Sequence, residues 1–172
     1  MYRFIVQGLL ITLLSFFVLQ LNFVFAVNPS PEDLSYAKKL IVLYKAQEES
    51  QKSLQNEIIK SSTSINSAKS LAPFFVKNLT FIKKFYTDLY ALKPTPVFES
   101  IHNTLLNAAY KHLQFLTKTI KLCEQNVDLA TFQKHSASKA PIVSEYTTSM
   151  NNFSKIVDSW PANYADQVKK LY

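Results

Sequence analysis

The chain has 172 residues, 19 Lys+Arg against 12 Asp+Glu for a formal charge of +7, and a mean hydropathy near zero. Its one glycine is Gly8 and its one arginine is Arg3. Tight hairpins and phosphate-cradling loops need glycine, and bidentate base reading favours the arginine fork. The composition therefore argues against a β-rich fold, P-loop or dinucleotide chemistry, and sequence-specific nucleic-acid recognition.

Arg3 is followed by the apolar run Phe4-Ile5-Val6 and Leu9 to Leu19, then Gln20 and Asn22, and the segment closes on Val24-Phe25-Ala26. A positive start, an apolar stretch and a small residue at the end make a secretory signal peptide over residues 1–26, with cleavage expected after Ala26. The competing reading is an uncleaved anchor over 4–26, since the run nears the ~20 apolar residues that span a bilayer. Gln7, Gln20 and Asn22 disfavour it. Residues 27–172 then form a single extracytoplasmic domain, secreted or periplasmic, with no membrane span of its own.

Ser30-Pro31-Glu32-Asp33 is a helix start, with Ser as cap, Pro in the first turn and acids beside the positive helix end. Leu34, Ala37, Ile41 and Tyr44, then Leu54, Ile58, Ile65 and Ala68, recur at helical spacing, predicting one helix over about 31–70 with a kink or fraying at 61–64. Leu71-Ala72-Pro73 makes a corner. A second helix, 74–92, carries Phe75, Leu79, Ile82, Tyr86 and Leu89 on one stripe, with Phe74, Phe81, Phe85 and Leu92 beside it; so wide a face predicts two neighbouring helices. Lys93-Pro94-Thr95-Pro96 is a loop, with Thr95 expected to cap a third helix.

The third helix has the most regular stripe: Phe98, His102, Leu105, Ala109, His112, Leu116, Ile120, Cys123 and Val127. That 3.5-like period is bundle or coiled-coil packing. Asp128 is expected to cap a short helix through Phe132. Ala140-Pro141 opens a fourth long helix bearing Val143, Tyr146, Met150, Phe153, Val157 and Trp160. Trp160-Pro161 ends it, and Ala165, Val168 and Leu171 predict a short final helix. The expected fold is all-α: an up-and-down four-helix bundle with a short C-terminal fifth helix, preceded by a signal peptide.

Few residues carry chemistry. Glu99 and His102 form one Glu-x-x-His pair, whereas a di-iron bundle needs two such pairs and two further glutamates. His112 lies ten residues, roughly 15 Å, along the helix and cannot complete a site. His135 is expected to be exposed. Cys123 stands alone on the inner stripe, where a thiol acts as a small hydrophobe. No catalytic triad, paired-carboxylate or haem-attachment pattern is present, so no catalytic residue, cofactor or metal ligand is assigned. Asn78-Leu79-Thr80 and Asn152-Phe153-Ser154 match the glycosylation sequon but fall inside predicted helices.

The charge is uneven. Residues 58–122 hold nine lysines against Asp88 and Glu99. If the second and third helices are antiparallel neighbours, Lys77, Lys83 and Lys84 on one and Lys111, Lys118 and Lys121 on the other can merge into one basic face. An anionic surface or an acidic protein is the partner such a face suits. The expected function is thus a non-catalytic exported binding or interaction protein. The runner-up is a carrier of a small hydrophobic ligand or metal, and an enzyme of unknown reaction comes third.

Overall fold

The computed structural model describes residues 28–61 and 67–172; the signal-peptide segment and most of the expected kink at 61–64 lie outside them. The described residues form α1 (Pro31–Lys60), a 3-10 turn (Lys69–Leu71), α2 (Ala72–Ala91), α3 (Glu99–Glu124), α4 (Leu129–Ala137), α5 (Ala140–Asp158) and α6 (Ala162–Lys169), with no strand among them. The fold is all-α.

Local chemistry sets the boundaries. At α1 the Asp33 N–H donates to Ser30 Oγ (3.0 Å) and the Ser30 N–H donates to Asp33 Oδ2 (3.1 Å), a complete capping box. Lacking glycine, α3 stops on Asn126, whose φ of 49° is the left-handed conformation asparagine tolerates best after glycine. The Val127 N–H then reaches the Leu122 carbonyl and the Asn126 N–H that of Cys123, closing the exposed end of the helix.

Three expected boundaries are corrected. The first helix ends at Lys60 rather than near 70: the Ser61 N–H turns back to the Glu57 and Ile59 carbonyls, and the chain resumes in the 3-10 turn before Pro73. Thr95 does not cap the third helix. Its hydroxyl donates to Asp33 of α1, a turn occupies 96–98, and α3 begins at Glu99. The helix after Asp128 runs to Ala137, because Asp128 accepts from both the N–H and the hydroxyl of Thr131 and no proline interrupts it before Pro141.

α2 packs on α1 and α3, as its wide apolar face requires; α3 also packs on α5 and α4; α6 packs on α5 and α1. The main core is centred on Phe98, which is fully buried, with ring centroids 5.0 Å from Tyr36, 5.6 Å from Phe153 and 6.0 Å from Trp160. A smaller cluster of Ala68, Leu71, Cys123 and Phe132 closes the other end beneath α4. Of the α3 stripe, Phe98, His102, Leu105, Ala109, His112, Leu116 and Cys123 are buried, and Ile120 and Val127 half-buried. Ile101, Ala108, Phe115 and Thr119 are buried beside them, so α3 is enclosed over a wider arc than a two-helix seam would bury.

Candidate functional site

The six singled-out lysines do not share one face. Lys77 on α2 pairs with Glu57 of α1 and lies 6.0 Å from the Phe81 ring centre. Lys84 pairs with Asp88 one turn on (2.6 Å). Lys111 on α3 pairs with Glu145 of α5. These contacts turn Lys77 toward α1 and Lys111 toward α5, the two outer flanks of the α2–α3 pair, so the rows expected to merge diverge there. Lys83, Lys118 and Lys121 are exposed and have no ion pair among the described residues. The Lys77–Glu57 and Lys84–Asp88 pairs are solvent-accessible and contribute ~0–1 kcal/mol each, and the Lys111–Glu145 pair is half-buried. Their larger effect is to cancel charge locally.

Between those flanks, the α2–α3 seam carries a feature that periodicity did not reveal. Tyr86 and Tyr90 of α2 stack at 6.2 Å, and Tyr86 meets Tyr110 of α3 at 6.3 Å. Tyr90 is 72% exposed and Tyr110 50% exposed. Lys83 shares the α2 face of Tyr86 and Tyr90 through its spacing of three and seven, and Lys121 shares the α3 face of Tyr110 eleven residues on. The sequence signal for this trio is two tyrosines at i and i+4 on a helix whose buried stripe lies to one side.

The three histidines are all drawn inward. His102 is buried and shares a hydrogen bond (Nδ1 to Oη, 3.0 Å) with Tyr36. Burial lowers the imidazole pKa and raises that of the phenol, so both are neutral. Glu99 is exposed, so the Glu-x-x-His pair is split between solvent and core. His135 is half-buried rather than exposed: its ring lies flat on Phe115 (4.6 Å, 11°) and Nε2 is 2.8 Å from Thr119 Oγ1. Thr119 gives its only proton to the Phe115 carbonyl (2.8 Å), so Nε2 of His135 is the donor in that contact.

His112 differs from both. It is buried in mid-α3, edge-on to Tyr146 of α5 (6.1 Å), and neither ring nitrogen has a hydrogen-bond partner among the described residues. The Tyr146 hydroxyl and Glu145 Oε2 are buried and unpartnered as well. Burial, and then the charge of Lys139, hold the His112 pKa well below its ordinary value. The Lys139 amine is itself desolvated, to a pKa of about 8.

Cys123 is buried in the smaller cluster, and burial, with the Glu124 charge behind it, raises the thiol to about 11, leaving it protonated and a poor nucleophile. Among the described residues no three His, Cys, Asp or Glu side chains gather to hold a metal ion, and no helix is long and apolar enough to cross a membrane. Asn78 is buried within α2 and its amide oxygen accepts from Gln51 of α1 (2.5 Å), a position closed to a glycan in the folded chain. No protein-family model, curated protein or solved structure matches this chain.

Proposed function

We propose that this is an exported, non-catalytic binding protein whose helices form an up-and-down four-helix bundle, α1, α2, α3 and α5, with α4 and α6 as short closing helices. Its lysine-bearing exterior meets an anionic surface or acidic partner outside the cytoplasm. The N-terminal segment is the export signal, removed after Ala26.

The observation that supports the binding reading most is the split among the lysines. Lys77, Lys84 and Lys111 are paired with carboxylates, while Lys83, Lys118 and Lys121 stand on exposed helix faces with no ion pair among the described residues. Uncancelled charge of one sign steers an oppositely charged partner, and its reach shrinks to ~10 Å at 0.1 M salt.

The test is retention on immobilised heparin and on vesicles containing phosphatidylglycerol, each across a salt series. Binding is expected at low salt and should be lost steeply as salt rises. Reversing Lys83, Lys118 and Lys121 to Glu should weaken it more than tenfold, and reversing Lys77 and Lys84 far less. No binding at low salt, or equal sensitivity to the two sets, contradicts the proposal.

A further inference from the structure

Tyr86, Tyr90 and Tyr110 occupy one strip with Lys83 and Lys121, two of the three singled-out lysines that have no ion pair among the described residues. Residues 92–98 join α2 to α3, so the two helices run antiparallel as packed neighbours. Along the strip, α2 presents Lys83, Tyr86 and Tyr90. α3 presents Tyr110, Gln114, Thr117 and Lys121 at spacings of four, three and four. All but the half-buried Tyr86 are exposed. Glu99, eleven residues before Tyr110, and Glu124, three after Lys121, are exposed on the same α3 face and bound the strip at its two ends. None of the positions between them is acidic, and Asp88, the nearest carboxylate on α2, is tied to Lys84 away from the strip.

Solvent-exposed rings in contact with one another give up apolar area that folding would ordinarily bury. Tyrosine offers a partner a large rigid contact at low conformational cost, and neighbouring amides and hydroxyls adapt their hydrogen bonds to it. Tyrosine is likewise enriched in protein interfaces over the rest of the surface. A bilayer takes up a helix through a broad apolar face, whereas this strip alternates rings with ammonium, amide and hydroxyl groups. A second copy of this basic chain would bring like charges together.

We infer that the α2–α3 seam, with Tyr86, Tyr90 and Tyr110 flanked by Lys83 and Lys121, is a docking surface for an acidic protein that brings apolar or aromatic side chains as well as carboxylates. The inference rests on the proposal of an anionic partner and narrows it. The lysines set encounter rate and salt dependence, while the rings set how long the complex lasts.

Two synthetic polypeptides test it: poly-glutamate, and a copolymer of glutamate and tyrosine. Heparin, oligo-dT and phosphatidylglycerol vesicles serve as anionic alternatives. Titrations of the purified protein should show the copolymer binding at least tenfold more tightly than poly-glutamate at equal charge. The double variant Tyr90→Ala, Tyr110→Ala should abolish that difference while leaving poly-glutamate binding in place. Lys83→Glu with Lys121→Glu should weaken both. Thermal melts establish that each variant is folded, and Tyr90→Ser, Tyr110→Ser serves as a second truncation if the alanine pair aggregates. Equal binding of the two polypeptides overturns the inference. So does heparin, oligo-dT or vesicle binding that exceeds copolymer binding or loses affinity in the tyrosine variants. If every polyanion binds and the tyrosine variants change nothing, the anionic proposal stands and the seam does not. If none binds, both fall.

Discussion

Two groups of aromatic rings in this molecule touch at almost the same distances and do opposite things. Tyr36, Phe98, Phe153 and Trp160 converge from α1, α5 and the segments flanking α3 and α6 on the centre of the core. Tyr86, Tyr90 and Tyr110 meet at 6.2 and 6.3 Å on the outside of the α2–α3 pair. Inside, ring contact replaces water and holds the elements together. Outside, Tyr90 and Tyr110 keep half or more of their surface in water, so the same contact contributes less to folding. The difference lies in what closes over the rings.

The comparison is sharpest under truncation. Phe98→Ala removes a ring with no exposed surface and three aromatic neighbours, and should destabilise the domain by ~3–5 kcal/mol in denaturant unfolding. A loss below about 1 kcal/mol would mean the central cluster does not organise the core.

Acid should separate the interior from the seam as well. His112 is held neutral in the folded state by burial and by Lys139, so the unfolded chain binds a proton below about pH 6.5 that the native chain refuses. The groups facing His112 are Tyr146 of α5, the Lys139 amine and Phe115 of its own helix. Stability should therefore be level above that pH and fall as pH drops below it, at up to ~1.4 kcal/mol per pH unit for this one group. His102 and His135, also lowered by burial, add in the same direction. His112→Leu should flatten part of this limb in pH-resolved melts; an unchanged limb would mean His112 takes up its proton without loss. The exposed tyrosines have no part in it.

Tyr36→Phe keeps the stacked ring and removes the hydroxyl from His102, an expected loss of ~1 kcal/mol measurable by chemical denaturation. Smallest of all, Tyr90→Ala should shift stability by no more than ~0.5 kcal/mol, the range of exposed positions. A cost above 2 kcal/mol would show that the seam rings are structural after all.

Much of the fold was legible because periodicity reports which arc of a helix is buried. The α3 stripe from Phe98 to Cys123 and the boundaries at Pro141 and Pro161 follow from spacing and proline chemistry. The corner expected at Leu71-Ala72-Pro73, by contrast, does not form: Leu71 and Ala72 are both right-handed helical and α2 starts at Ala72, with Pro73 in its first turn. Periodicity does not say where a polar run stops being helix, and so the end of α1 at Lys60 was missed. Nor does it reveal a tertiary acceptor: Thr95 looks like a cap until Asp33, sixty-two residues away in sequence, is seen beside it. His135 was expected in solvent because its polar neighbours gave no hint that the ring would lie on Phe115. The lysines were legible as a set but not as two sets, since Glu57 and Glu145, which neutralise Lys77 and Lys111, come from α1 and α5. The tyrosine seam was invisible for the same reason. A residue on the border of an amphipathic face is buried or bared by the neighbour that packs there, and one helix's spacing does not name that neighbour.

The central claim is that the interior holds the fold while the proposed acidic partner docks on the α2–α3 seam. Amide chemical-shift mapping during titration with the glutamate–tyrosine copolymer tests it most directly, because every helix is observed at once. Shifts should concentrate on the α2 face of Lys83, Tyr86 and Tyr90 and the α3 face of Tyr110, Thr117 and Lys121, fading with added salt and leaving the amides around Phe98 and Phe153 unmoved. Shifts spread evenly over every exposed lysine, or centred on Lys77 and Lys111 where carboxylates already sit, would contradict it.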